Sequence, residues 1–157
     1  MLEKFIAAIT RFIGLEANKT GHAEKLVSAL GGLCGILAVS YIARSLHGEH
    51  AAMLIIASMG ASAVLLFAVP HGPLSQPWPV LGGHLVSGAI GVACAQHIPD
   101  VMVAGAVAVS LAIAAMHYLR CIHPPGGATA LTAVIGGDSI HALGYEYLLS
   151  PVLLNTA

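Results

Sequence analysis

The chain has 157 residues, 57% of them hydrophobic and 8% charged, with a mean hydropathy of +0.87 and a formal net charge of −1. Soluble domains carry about 25% charged residues, so this composition excludes a water-soluble globular domain and points to one polytopic membrane unit. No basic patch is large enough for nucleic-acid binding.

Along the first 24 residues Leu2, Phe5, Ile6, Ile9, Phe12 and Ile13 recur at helical spacing, with Lys4, Thr10 and Arg11 on other faces. The pattern predicts an amphipathic helix on the membrane surface, or one packed against the spans. Lys4, Arg11, Lys19 and Lys25 make this the most basic stretch, which places the N-terminus in the cytoplasm by the positive-inside rule. Arg120 falls on the same side after four crossings, whereas Arg44 falls on the other.

Residues 25–157 form the membrane domain, and the expected fold is an all-α bundle of at least four transmembrane helices. The runs 26–43, 51–69, 80–98 and 101–119 contain no Asp, Glu, Lys or Arg, and each approaches the ~20 residues that cross a bilayer. Glycines within them allow close helix packing in lipid and a homo-oligomer as partner. Cys34, Cys94 and Cys121 form no disulfide pattern. Between the second and third runs, "PHGPLSQPWP" ends a helix and predicts a short or re-entrant loop, with Trp78 at the interface.

After the fourth run, "RCIHPPGGATALTAVIGG" interrupts an apolar region and predicts a short broken helix over 123–137. Pro124 and Pro125 suit a helix start and not its interior. The absence of side chains at Gly126 and Gly127 exposes backbone N–H groups, Ala128 is small, and Thr129 adds a hydroxyl one turn in. Helix starts attract anions, so these four residues, with Arg120 and His123 just before them, are the candidate site for a small anion. Gly60, Ala61 and Ser62 match Gly127, Ala128 and Thr129, and Leu26-Val27-Ser28 with Gly32 matches Leu85-Val86-Ser87 with Gly91. These matches suggest an internal repeat, which in transporters builds a substrate site at the repeat interface. The first motif thereby joins the candidate site.

His84 and His117 are the candidate proton-relay groups, since imidazoles titrate near neutral pH and few carboxylates are available. Neither His47-Gly48-Glu49-His50 nor Cys121 with His123 has the ligand count of a closed metal site, so no metal and no cofactor are assigned. No catalytic set can be assembled, and an enzyme is not expected. The last run, 143–157, reads as a further span cut off early.

The run from His123 to Leu131, with "SMGASAVLLF", "PLSQPWPVLGGHLVSGAIGV" and "GYEYLLSPVLLN", resembles the HPP family of integral membrane proteins across residues 21–155. The resemblance implies four transmembrane helices and, as in plastid and cyanobacterial members, nitrite transport. Some bacterial members carry C-terminal CBS domains, and these 157 residues contain none. The reading is an integral protein of a bacterial inner membrane that carries or channels a small inorganic anion, nitrite foremost. Chemistry alone does not separate nitrite from nitrate, formate, bicarbonate or chloride. The alternatives are a membrane metal-binding protein and a structural or sensory membrane domain that transports nothing.

Overall fold

The structure is a computed structural model that describes residues 5, 6, 9, 10, 12, 13 and 20–156, the side chains of 47–56 excepted. The described elements are helical, without a strand. Of the N-terminal stripe, Phe5, Ile6, Ile9, Phe12 and Ile13 are all exposed, so these five do not pack against the bundle; Leu2 lies outside the described residues.

The first element, α1 (His22–Ala68), is helical over 47 residues. Drawn straight it would reach about 70 Å, yet a Cβ placed on Gly31 or Gly35 would lie 2.5 or 2.9 Å from the Phe67 ring. The element therefore folds back. Its arms, His22–Leu46 and Ala57–Ala68, lie side by side as an antiparallel pair. Leu26, Val27, Leu30, Leu33 and Leu37 on the first arm are each at least half exposed. Such a surface is at home against lipid tails, where an apolar side chain gains nothing by turning inward.

A short 3-10 turn, Pro73–Ser75, leads out of α1. Ser75 Oγ lies 3.0 Å from the Leu65 carbonyl and 2.8 Å from that of Val69, and its one hydrogen is shared between them at the helix end. Next comes α2 (Pro77–His97), which starts three residues before the apolar run suggested. Its prolines sit in the first turn, where a missing N–H breaks no helical bond. Asp100 caps α3 (Val101–Tyr118) by accepting from the Val103 N–H at 2.9 Å. Three described helices, His22–Leu46, Pro77–His97 and Val101–Tyr118, are long and apolar enough to cross a membrane. The second sequence run is described over Ala57–Ala68 as a shorter apolar helix, and so is the broken helix α4 (Pro125–Ile135).

Close approach of α2 and α4 sets the core. A Cβ on Gly126 would come within 2.7 Å of the Gly83 carbonyl, and one on Gly91 would run into the Ala130 carbonyl. Contacts thus advance together from 83 to 91 and from 126 to 130, so the two helices run in the same direction. Ala104, Ala108 and Ala112 line the buried face of α3 at four-residue spacing.

These directions correct the expected repeat. The arms of α1 are antiparallel, whereas α2 and α4, their matched counterparts, are parallel, so the two halves are not copies of one unit. The final run is also not one uninterrupted helix. After a short turn of helix that precedes it, Asp138–His141, the run holds a wide π-type turn, Leu148–Leu153, in which Ser150 leaves helical geometry beside Pro151, and then Leu154–Thr156. Pro151 cannot donate the N–H that a continuous span would need.

Gly91→Ala is expected to lower the melting temperature of the purified protein clearly, because the backbone carbonyl it meets cannot step aside. Overpacking of this kind costs roughly 1–3 kcal/mol. Gly32→Ala, where a Cβ meets nothing within 4 Å, is expected to leave it unchanged or higher.

Candidate functional site

Of the described histidines, His84 and His123 alone are buried, each at 0% exposure. His84 projects from α2 two turns after its start, and His123 stands in the turn immediately before α4. Their ring centroids are 5.0 Å apart and the planes are tilted by 58°. Ser62, on the second arm of α1, lies between them, its Oγ 2.9 Å from His84 Nε2 and 3.0 Å from His123 Nε2. The outer nitrogens are also engaged. His84 Nδ1 lies 2.6 Å from Thr129 Oγ1, and His123 Nδ1 lies 2.8 Å from the Leu74 carbonyl.

With both rings neutral, proton counting leaves one arrangement. The Leu74 carbonyl can only accept, so His123 carries its proton on Nδ1 and must accept at Nε2. That bond takes the single Ser62 hydrogen. Ser62 Oγ therefore accepts from His84 Nε2–H, and His84 Nδ1 accepts from the Thr129 hydroxyl. The donors run in one direction, Thr129 to His84 to Ser62 to His123 to Leu74. Tyr147, itself buried, donates to the Thr129 carbonyl at 3.1 Å and ties the C-terminal segment to the same turn of α4.

Helix directions explain the convergence. Ser75 holds the last turn of α1 beside the start of α2, and α4 begins at that same end, so α4, which packs on both α1 and α2, runs along α2 and opposite to the second arm of α1. The two matched motifs thus meet at the His84 ring, each delivering the hydroxyl of its third residue to one ring nitrogen. The similarity between them is one of local chemistry, a small-residue helix face with one hydroxyl.

Of the residues singled out from sequence, Ser62, His84, His123 and Thr129 meet. The others fall elsewhere. The Gly126 N–H donates to the His123 carbonyl (2.8 Å) and the Gly127 N–H to that of Pro124 (3.0 Å), which corrects the expectation of free donors at this helix start: the first turn closes on itself. Gly126 serves the contact with Gly83, while Gly127 opens onto a cavity of about 250 Å³ lined also by Met116, His117, Ile122 and Pro124. Gly60 lines a separate cavity of about 330 Å³ between the arms of α1. Ala61 and Ala128 are exposed. His117 is exposed at the end of α3, apart from the chain of hydrogen bonds, so the partner of His84 is His123.

Arg120 is exposed with φ of 55°. Its N–H bonds to the His117 carbonyl and that of Cys121 to Met116, a Schellman ending in which an arginine occupies the left-handed position usual for glycine. Trp78, half exposed, donates from Nε1 to the Leu119 carbonyl at 3.1 Å and so fastens α2 to this turn. Among the described residues no three metal-binding side chains come together; the side chains of His47, Glu49 and His50 lie outside them. Sequence reading missed Tyr147 and the Leu74 carbonyl, and only "GYEYLLSPVLLN" drew attention to the former.

The family described as "HPP, transmembrane region" matches residues 17–157. The chain belongs to the HPP transmembrane family. Two curated proteins of Dictyostelium discoideum, both described as transmembrane proteins, are similar to it. One is 40% identical over 129 residues, covering 80% of this chain and 41% of that protein. The other is 37% identical over 128 residues, covering 79% and 45%. This HPP chain therefore matches less than half the length of those relatives. No solved structure matches it. The chain is an integral membrane protein, and its His-Pro-Pro sequence supplies both the buried His123 and the start of α4.

Burial pushes the His123 imidazole below its ordinary range, opposed by its bond to the Leu74 carbonyl; burial likewise pushes the Cys121 thiol up. For His123 the folded protein binds a proton less readily than the unfolded chain. Its contribution to stability is therefore complete above the unfolded value of about 6.5 and is lost as pH falls through the lower folded value. In detergent, the melting temperature is expected to be flat above about pH 7 and to fall under acid, with a weaker fall in His123→Gln. An unchanged acid limb in that variant would assign it to other groups.

Thr129→Val should lower the melting temperature at neutral pH, since it leaves His84 Nδ1 without a donor, a loss of about 1–3 kcal/mol. Ser87→Ala should not, because the buried Ser87 hydroxyl has no partner to lose.

Proposed function

We propose that this chain carries a small inorganic anion across the membrane, with nitrite as the leading substrate, and that the chain of hydrogen bonds through His84, Ser62 and His123 lies at the polar centre of its path. The observation that carries the reading is the placement of two buried imidazoles, bridged by one hydroxyl, in a membrane bundle whose every described Asp, Glu, Lys and Arg is exposed. Buried ionisable groups are expensive inside a membrane and mark ion and proton pathways.

In this reading Arg120 and His117 gather the anion at the exposed end of α3. The cavity beside Gly127 and Pro124 then leads it towards the start of α4, one residue from His123. Nitrite suits such a route as a compact, singly charged acceptor of hydrogen bonds. Its preference over other small anions rests on the family resemblance.

Purified protein in proteoliposomes, offered nitrite, nitrate, formate and chloride in turn, is expected to move nitrite fastest. His123→Gln should reduce that flux at least tenfold. Arg120→Gly, which suits the left-handed backbone, should keep the melting temperature and raise the half-saturating nitrite concentration. Wild-type vesicles no more permeable than protein-free ones to all four anions would favour a membrane domain that transports nothing.

A further inference from the structure

Ser62 Oγ has three neighbours at bonding distance. Besides the two imidazole nitrogens, it lies 3.2 Å from the carbonyl of Ser58 one helical turn earlier. In the neutral arrangement the Ser62 hydrogen points at His123 Nε2. Turned instead towards Ser58, the same hydroxyl presents its lone pairs to both rings, and His123 Nε2 is free to take a proton of its own.

We propose that the Ser62-bridged pair is a binding site for one coupling proton, held on His123, and that the anion crosses together with that proton in a one-to-one, electrically neutral symport. The proposal rests on the reading of the chain as an anion carrier. In the loaded state an N–H bond forms at His123 Nε2 with a proton from water, and that N–H donates to Ser62 Oγ. His123 Nδ1–H keeps its bond to Leu74, His84 Nε2–H keeps its bond to Ser62, and the Ser62 hydrogen rests on the Ser58 carbonyl. Every donor has an acceptor in both states, and only one hydroxyl hydrogen turns between them. Release of the proton to water reverses the step.

Geometry selects His123 over His84. To become a cation, His84 would have to donate from Nδ1 to Thr129, whose hydrogen would then need the Pro125 carbonyl, 3.4 Å away. His123 needs the equivalent turn of Ser62, onto the nearer Ser58 carbonyl at 3.2 Å. It also holds no more than one proton with its neighbour, since two imidazolium rings with centroids 5.0 Å apart would repel without a counter-ion.

The titratable groups facing the pair are few. Tyr147 reaches it from the C-terminal segment through the Thr129 carbonyl, and Cys121 from the α3–α4 turn beside Gly83. Leu74 of the loop, Ser58 and Ser62 of α1 and Thr129 of α4 contribute only carbonyls and hydroxyls. No described carboxylate is buried there to balance an imidazolium. A monovalent anion would supply that balance, and each charge thereby lowers the other's cost of entering the bundle.

The test has two parts. In proteoliposomes loaded with a pH dye and clamped with potassium and valinomycin, with passive permeation of protein-free vesicles subtracted, nitrite entry should carry one proton per anion. Its rate should be the same at either sign of the clamp. Ser62→Ala should lose the proton-coupled flux at least tenfold and Ser62→Thr should restore much of it. Nitrite entry without proton movement, or with a rate that follows the clamp, overturns symport. No flux of any anion in wild type overturns the carrier reading and symport with it. The second part decides the proton site in every case: 15N NMR of histidine-labelled protein during acid titration. The expected result is a single buried imidazolium, His123, with His84 still protonated on Nε2 alone. Charging of His84 first, or of both rings, overturns the assignment.

Discussion

Inside a bundle of apolar helices, a hydrogen-bonding side chain must find its partner within the protein, because neither lipid nor alanine can supply one. His84 is the residue on which this constraint bears hardest. It is wholly buried, has two ring nitrogens of opposite requirement, and sits on the helix that contacts most of the others. Its needs are met by a hydroxyl from each of two flanking helices, and that demand fixes their rotation about their own axes. Ser62 must face His84 Nε2 and Thr129 must face Nδ1. Once they do, His123 is brought to Ser62, the Leu74 carbonyl to His123, and Tyr147 to α4.

The same constraint explains the glycines around the chain. Hydrogen bonds of 2.6–3.0 Å between side chains on three helices require backbones closer than leucine-sized residues allow. Gly83 and Gly126 let the turn containing His123 lie against α2, and Gly91 lets α4 continue alongside it. The lipid-facing first arm of α1 takes no part in the network, and its large exposed side chains need only match the bilayer.

Much of this was legible from residue types and spacing. Apolar runs without charge gave three spans nearly to their ends, and Pro124 with Pro125 marked the start of α4 because proline tolerates the first turn alone. Ser62, His123 and Thr129 were grouped in one candidate site and His84 was singled out apart from them, yet nothing in the linear order joined His84 to the other three. Which hydroxyl meets which nitrogen depends on helix rotation and direction, and these are set by tertiary packing. The same limit explains the errors. His117 and His84 look alike in sequence, but His117 sits at a helix end facing outward. The matched motifs looked like a repeat because glycine, alanine and hydroxyl residues recur wherever helices pack closely. Gly126 and Gly127 looked like free donors because the closure of the first turn on the carbonyls of His123 and Pro124 depends on backbone angles.

The central claim is that the buried hydrogen bonds run in a single direction, from Thr129 to the Leu74 carbonyl. The tautomers of the two rings at neutral pH report on it directly. 15N NMR of histidine-labelled protein in lipid, assigned by His84→Gln and His123→Gln, should show His84 protonated on Nε2 and His123 on Nδ1. Both rings protonated on the same nitrogen, or the opposite pair, would contradict the account.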